Sequence, residues 1–445
     1  MRIILCLRQT RRQRLPPPRP LPTRLYSVVT APPRREHLDV PCRSNGSITI
    51  DVYHAAAKTS PILVYLPPGP VLPGHAEEEE HIISCLSASS AATIARIHYR
   101  ASSAHQYPTP FHDVLTGYDW IQQNLLRDAF DRPYLGRLGV CGQLVGGSLA
   151  TMLALTECRV GEPRIAAAAV NNPIVDWVFP DELPAVSPSE LPEPTGADDT
   201  ALPADQDPAT LLPVAKTSRK RPKPTTKKSP LTAWQAHGDN TMIPTPTLSA
   251  ERDMLFRRPD DYFDRFASPI HFFRSPHAQM VCPEQDDIAA SQQPDSDELL
   301  DMEVQFALNH YASFHGKTKT SPAVATLSRC RAYARNYPQA GTSLKLPAWH
   351  MTTGLQSPLA DQTLELVKVI QRSLARQRLK SQSGRTRWLN VSEKTTYEQW
   401  AQEQVRLQTR PGVGLWSPQN DDTNWTIPVD EVGAWMKLRL EADLM

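Results

Sequence analysis

The stretch Gly136-Arg137-Leu138-Gly139-Val140-Cys141-Gly142-Gln143-Leu144-Val145-Gly146-Gly147-Ser148-Leu149-Ala150-Thr151-Met152-Leu153-Ala154-Leu155 decides how the rest of this chain is read. An apolar run from Leu138 to Cys141 meets a glycine-punctuated corner, and a helix of small residues follows. This is the layout of a strand turning sharply into a helix. Gly142, Gln143, Leu144, Val145 and Gly146 fill the five positions of the corner, so its middle residue is leucine.

Outward from the corner, strands and helices alternate. Ser47–His54 alternates apolar and polar residues as a half-buried strand does, and Pro61–Leu66 is a compact apolar run of central-strand type. Ala92–Tyr99 reads as another strand, and Phe111–Leu126 as a helix with Val114, Tyr118, Ile121 and Leu125 along one face. Arg164–Val170 is a short apolar strand after the corner helix. Aromatic and apolar residues return at 248–275, and helical periodicity near Leu299–Tyr311. Lys345–Thr353 then reads as a strand, Leu359–Leu379 as an amphipathic helix, Val405–Thr409 as a last strand and Val429–Leu440 as a terminal helix. The alternation predicts an α/β fold with a mostly parallel, doubly wound sheet.

At 445 residues the chain has room for one large α/β domain or two ordinary ones. Its 43 prolines and 40% hydrophobic content place part of it outside any packed core. A net charge of +1 argues against a globally basic nucleic-acid binder. The seven cysteines contain no C-x-x-C pair, which suits isolated reduced thiols rather than a disulfide framework or zinc site. No apolar run approaches the roughly 20 residues of a membrane-spanning helix.

The first 35 residues hold nine arginines and no acid, and Arg24-Leu25-Tyr26-Ser27 has the look of a processing site. Residues 1–36 are therefore expected to be a mitochondrial presequence and leader that directs the protein to the matrix. The alternative is a proline-rich disordered tail on a cytoplasmic or nuclear protein. Residues 181–230 hold ten prolines, with eight acids and no Lys or Arg at 181–207 and seven Lys or Arg at 216–228. Such a segment buries too little apolar surface to offset its ordering entropy, so 181–247 is expected to be a disordered insert. Its basic run from Lys216 to Lys228 reads as a solvated loop facing its own acidic half, the alternative being a targeting or phosphate-binding patch. The domain then falls into a first half at 37–180 and a second at 248–445, the latter with a polar insert near 277–300. Glu77–Glu80 beside His75 and His81 resemble a metal site, but acids at the positive end of a helix explain them. No metal and no cofactor is assigned.

Several landmarks fall in the order of one family. His98-Tyr99-Arg100-Ala101-Ser102-Ser103-Ala104-His105-Gln106-Tyr107-Pro108, followed by Asp113 and Trp120, resembles the D-Y-R-L-A-P-E-H-x-F-P…D…W segment of hormone-sensitive-lipase-like esterases. These are a branch of the α/β-hydrolase fold family. Val64–Pro70 lies where that branch has its H-G-G-G oxyanion loop. Leu346–Asp361 resembles the strand and loop that deliver the catalytic acid, and Val405–Trp416 the last strand and its histidine turn. The likeness covers residues 47–180 and 248–442. In this family the corner reads G-x-S-x-G and raises a serine nucleophile on a strained turn.

The resemblance implies a serine esterase site, which needs a hydroxyl nucleophile, a histidine, an orienting carboxylate and backbone N–H donors for the oxyanion. Here Leu144 stands at the nucleophile position, Ser357 at the acid position and Leu415 at the histidine position, and no histidine follows His350. The oxyanion loop reads Pro67, Pro68, Gly69, Pro70, and proline has no N–H to donate. Ser148, Cys141 and Asp361 are the substitutes to consider. Plainer readings are close packing for Ser148, a buried small hydrophobe for Cys141, and an acid with no histidine to orient for Asp361. His105 and His350 read as structural, and His271 and His277 flank a strand end with no partner in view.

These replacements lead to the expectation of a carboxylesterase-like fold with a degenerate centre, a pseudoenzyme that binds an apolar small molecule or a protein partner. Its pocket is expected along Pro67–Pro70, Leu144, Val145, Gly146 and the loops at 355–361 and 412–416. An active ester hydrolase with a non-standard nucleophile, and a scaffold associating through 181–230, are the other readings.

Overall fold

The computed structural model describes residues 34–42, 46–57, 60–72, 76–127, 132, 138–180, 183, 191–193, 231–281, 326–339, 341–417 and 425–442. Most of the presequence region, nearly all of 181–230, and the periodicity near Leu299–Tyr311 lie outside the described residues. The strands in chain order are β1 (Arg35–Pro41), β2 (Ser47–Tyr53), β3 (Ile62–Leu66), β4 (Thr93–His98), β5 (Leu138–Gln143), β6 (Ile165–Asn171), β7 (Ala278–Val281), β8 (Thr326–Arg329), β9 (Ala348–Gly354) and β10 (Val405–Arg410). The helices of at least one turn are α1 (Ala76–Ser90), α2 (Thr109–Asn124), α3 (Leu144–Thr156), α4 (Ala233–Ala236), α5 (Thr245–Leu255), α6 (Ala360–Ser383), α7 (Val391–Gln404) and α8 (Ile427–Ala442).

Eight strands form one sheet in the order β1-β2-β4-β3-β5-β6-β9-β10, and β7 pairs with β8 in a separate ribbon. Every pairing from β4 to β10 is parallel, and only β1 and β2 run antiparallel to their neighbours. β3, β5 and β6 are buried along their whole length, which is why they read as unbroken apolar or small-residue runs. Alternate side chains of the central strands serve opposite layers. Leu63, Tyr65, Cys141 and Ala169 pack with Ile82, Leu86, Val432 and Met436 of α1 and α8. Ile62, Val64, Val140 and Ala168 pack with Val114, Leu153 and Ile370 of α2, α3 and α6. The sheet is thus doubly wound, as expected. No helix among the described residues is long and apolar enough to cross a membrane.

Three elements depart from the sequence reading. The fold starts at β1, whose Arg-Glu-His-Leu-Asp-Val-Pro has little apolar signal. It is held by its ladder to β2 and by Arg35 and His37 on the buried Asp51, at 3.0 and 2.7 Å. Residues 231–247, expected within the disordered insert, are structured, because Thr232 and Gln235 close a capping box on α4 and Trp234 stacks on Phe179 at 4.2 Å. α7 buries only Ala401 and so shows no apolar stripe; Asn390 caps it, and Arg378 of α6 lies 4.2 Å over its Trp400 ring.

Candidate functional site

The turn from β5 into α3 holds Leu144 at φ +52°, in the left-handed region that costs an L side chain roughly 1–2 kcal/mol. The flanking glycines make the turn possible. A Cβ on Gly146 would stand 2.1 Å from the Pro67 carbonyl oxygen and 2.4 Å from that of Leu66, and one on Gly142 would stand 2.5 Å from the Gly146 oxygen. The corner and the loop after β3 are therefore packed backbone on backbone. Gly69, at φ +79°, lies against Val145, and Tyr99 Oη donates to the Pro67 oxygen at 2.7 Å. The strained elbow is retained, with a hydrocarbon on it.

Leu144 is fully buried and belongs to the same apolar cluster as Val145, Val413 and Leu415. Ser357 is also buried, its Oγ accepting the Leu359 N–H at 3.2 Å. Around them runs a network the sequence reading missed. Asn171 Nδ2 donates to Thr352 Oγ1 and to the Gly414 oxygen, both at 2.7 Å. Asn172 Nδ2 donates to the Val413 oxygen at 3.0 Å, and Thr353 Oγ1 to Asn172 Oδ1 at 2.8 Å. The Trp416 N–H reaches Gln143 Oε1 at 3.2 Å. The carboxyl ends of β5, β6 and β9 and the loop after β10 are thus tied by neutral amides and hydroxyls. Such groups fix a backbone but do not exchange protons near pH 7, the task of a general base.

The expected pocket needs correction. Leu144 has no exposed surface, because its side chain fills the core rather than flooring an open site. The space beside the elbow is a crevice of only ≈ 30 Å³ between Val145, Ser148, Phe111, Trp177 and Phe256. Ser148 Oγ donates there to the Ala267 oxygen at 3.5 Å. Cys141 is fully buried on β5, and burial pushes its thiol far above the usual range. Asp361 Oδ2 accepts the Ala233 N–H at 2.7 Å, which makes it an anchor for α4.

The histidines are dispersed. His105 Nδ1 lies 3.2 Å from Ser102 Oγ within one local turn, with no carboxylate joined to the pair among the described residues. His350 is buried on β9 against Trp435, neither ring nitrogen has a hydrogen-bond partner among the described residues, and burial holds its pKa down to about 4. His271 and His277, partnerless on sequence grounds, converge on buried Asp176. Asp176 Oδ2 lies 3.2 Å from His277 Nδ1, 3.9 Å from His271 Nε2 and 2.7 Å from Arg274 Nη2. Burial alone would raise this carboxyl; the facing His277, Arg274 and His271 hold it well below the carboxylate range. Gln362 Oε1 accepts the N–H groups of Val175 and Asp176 at 3.1 Å, fixing the loop.

Sheet order, strained elbow and glycine contacts together define a carboxylesterase-like α/β-hydrolase fold. A family model described as alpha/beta hydrolase fold matches residues 63–271, somewhat less than half of the chain, and the chain has that fold. Its likenesses are to esterases. It is 23% identical over 118 residues to the esterase LipI of Mycobacterium tuberculosis, a match covering 26% of this chain and 36% of that protein. Carboxyl esterase 2 of the mycorrhizal fungus Tuber melanosporum superposes with a TM-score of 0.51 at 10% identity, over 94% of this chain and 89% of that one. A thermostable esterase of Pseudomonas putida gives 0.50 at 12% identity, over 92% and 84%. These two structures share the fold.

Proposed function

We propose that this protein does not hydrolyse esters and acts instead by binding, as a pseudoenzyme of the esterase branch. Leu144 carries the reading: the elbow that would present a nucleophile presents a buried side chain without a lone pair. Leu415 and Ser357 at the other two positions agree with it, because neither can accept or stabilise the proton that acyl transfer moves. The expected outcome is no hydrolysis of p-nitrophenyl acetate or butyrate above the buffer blank and no covalent labelling by a fluorophosphonate. Leu144→Ser should remain within about tenfold of the blank, since a serine without its histidine and acid retains only background catalysis. Turnover abolished by stoichiometric labelling at Ser148 or Cys141 would overturn the proposal and identify an active hydrolase with a non-standard nucleophile.

The acid-free, arginine-rich leader supports a second part of the proposal, residence in the mitochondrial matrix. Residues 1–36 fused to a fluorescent protein should carry it into mitochondria, and changing Arg2, Arg8, Arg11 and Arg12 to glutamine should leave it in the cytosol. A nuclear or diffuse signal from the unaltered leader would refute this.

A further inference from the structure

A second cavity lies away from the elbow, between the loop after β6, α4, the β7–β8 ribbon and the first turns of α6. It is an open cleft of ≈ 700 Å³, within the range of about 300–1,000 Å³ typical of small-molecule sites. Two polar atoms on its lining residues are buried without a hydrogen-bond partner among the described residues, Trp234 Nε1 and Arg329 Nε. Both are donors, and neither can act as an acceptor. The remaining charges of the lining are engaged. Arg274 joins Asp176 and Glu365 at 2.7 and 2.8 Å, Arg331 joins Glu193 at 2.6 Å, and Asp361 accepts the Ala233 N–H. Arg329 reaches only the Pro180 oxygen, at 3.5 Å, and makes no ion pair among the described residues.

The unmet valences of this cavity thus ask for acceptors, and Arg329, the lining arginine without an ion pair among the described residues, is the cation on which a negative one would rest. Val178, Pro180, Leu191 and Trp234 supply an apolar part of the wall, and Phe179 stacked on the indole keeps that ring in place. We infer that this cavity binds a small organic monocarboxylate with an apolar body, its charge on Arg329, Trp234 Nε1 donating to an acceptor oxygen, and its hydrocarbon part on Val178 and the indole.

The test uses the full chain and 3-phenylpropionate, followed by titration calorimetry and tryptophan fluorescence. Saturable binding is expected, weakened about tenfold or more in Arg329→Gln by loss of a charge-assisted bond and severalfold in Trp234→Phe. On the unaltered chain, 3-phenylpropanamide, of the same shape without the charge, should bind at least about tenfold more weakly. That comparison needs no variant and stands even where a substitution disturbs folding. Absence of saturable binding at millimolar ligand, equal affinity for acid and amide, or equal affinity for inorganic phosphate would each overturn the assignment.

Discussion

Gly146→Ala should destabilise this protein by about 4 kcal/mol or more, at the upper end of what single substitutions do. The added methyl carbon would meet the Pro67 and Leu66 carbonyl oxygens at 2.1 and 2.4 Å, and these are main-chain atoms at the end of β3 and just beyond it that cannot rotate aside as a side chain does. Relief requires parting α3 from the end of β3, which opens the core where the two backbones meet. Gly147→Ala, one residue on, is the contrast. There the nearest atoms stand at 3.3 Å, and the helix propensity of alanine offsets the crowding by about 1 kcal/mol. Urea unfolding at constant slope separates the two cases, with Gly147→Ala near the parent and Gly146→Ala far below it. Equal midpoints for both variants would show that the corner is not held backbone on backbone.

Acidification should expose three buried groups that pull in opposite directions. His271 and His350 are held near pKa 4 by burial, against about 6.5 in an unfolded chain. A depressed histidine contributes stability that is complete above its unfolded value and is lost as pH falls toward the folded one, roughly 3 kcal/mol each between pH 6.5 and 4. Glu251 is raised to about 7 by burial, its Oε1 without a hydrogen-bond partner among the described residues, so it contributes stability below its unfolded value that is lost as pH rises through 7. On acidification it returns roughly 3 kcal/mol and masks one histidine. The parent should therefore lose about 3 kcal/mol from pH 7 to 4, and Glu251→Gln about twice that, while being the more stable of the two at pH 8. Asp176 does not enter this window, because its depressed pKa makes itself felt only below the ordinary carboxylate value. Urea midpoints between pH 8 and 4 decide the matter, and parallel curves for parent and Glu251→Gln would sink the account.

The elbow was legible because glycine at 142 and 146 and an apolar run before them are local signals. Ligand space was not legible. Leu144 reads as the floor of a pocket until its neighbours are known, and it is they that close over it. Networks built across the chain left no trace either: Asn171 meets Thr352 at a separation of 181 residues and Asp176 meets Arg274 at 98. No periodicity connects such pairs, and Asn, Thr and His are common enough to pass unremarked. β1 and α7 escaped for the opposite reason, being mostly polar segments held by partners rather than by an apolar stripe of their own.

The position of β9 between β6 and β10 also bears on how the chain is made. β6 ends at Asn171, and the strand that pairs with its other edge begins at Ala348. A nascent chain leaving the ribosome will therefore carry a bare, alanine-rich strand edge in the middle of its sheet while all the intervening residues are synthesised. The amide of Asn171 waits longer still, for the Gly414 carbonyl 243 residues on. Such late closure favours slow folding over rapid local collapse.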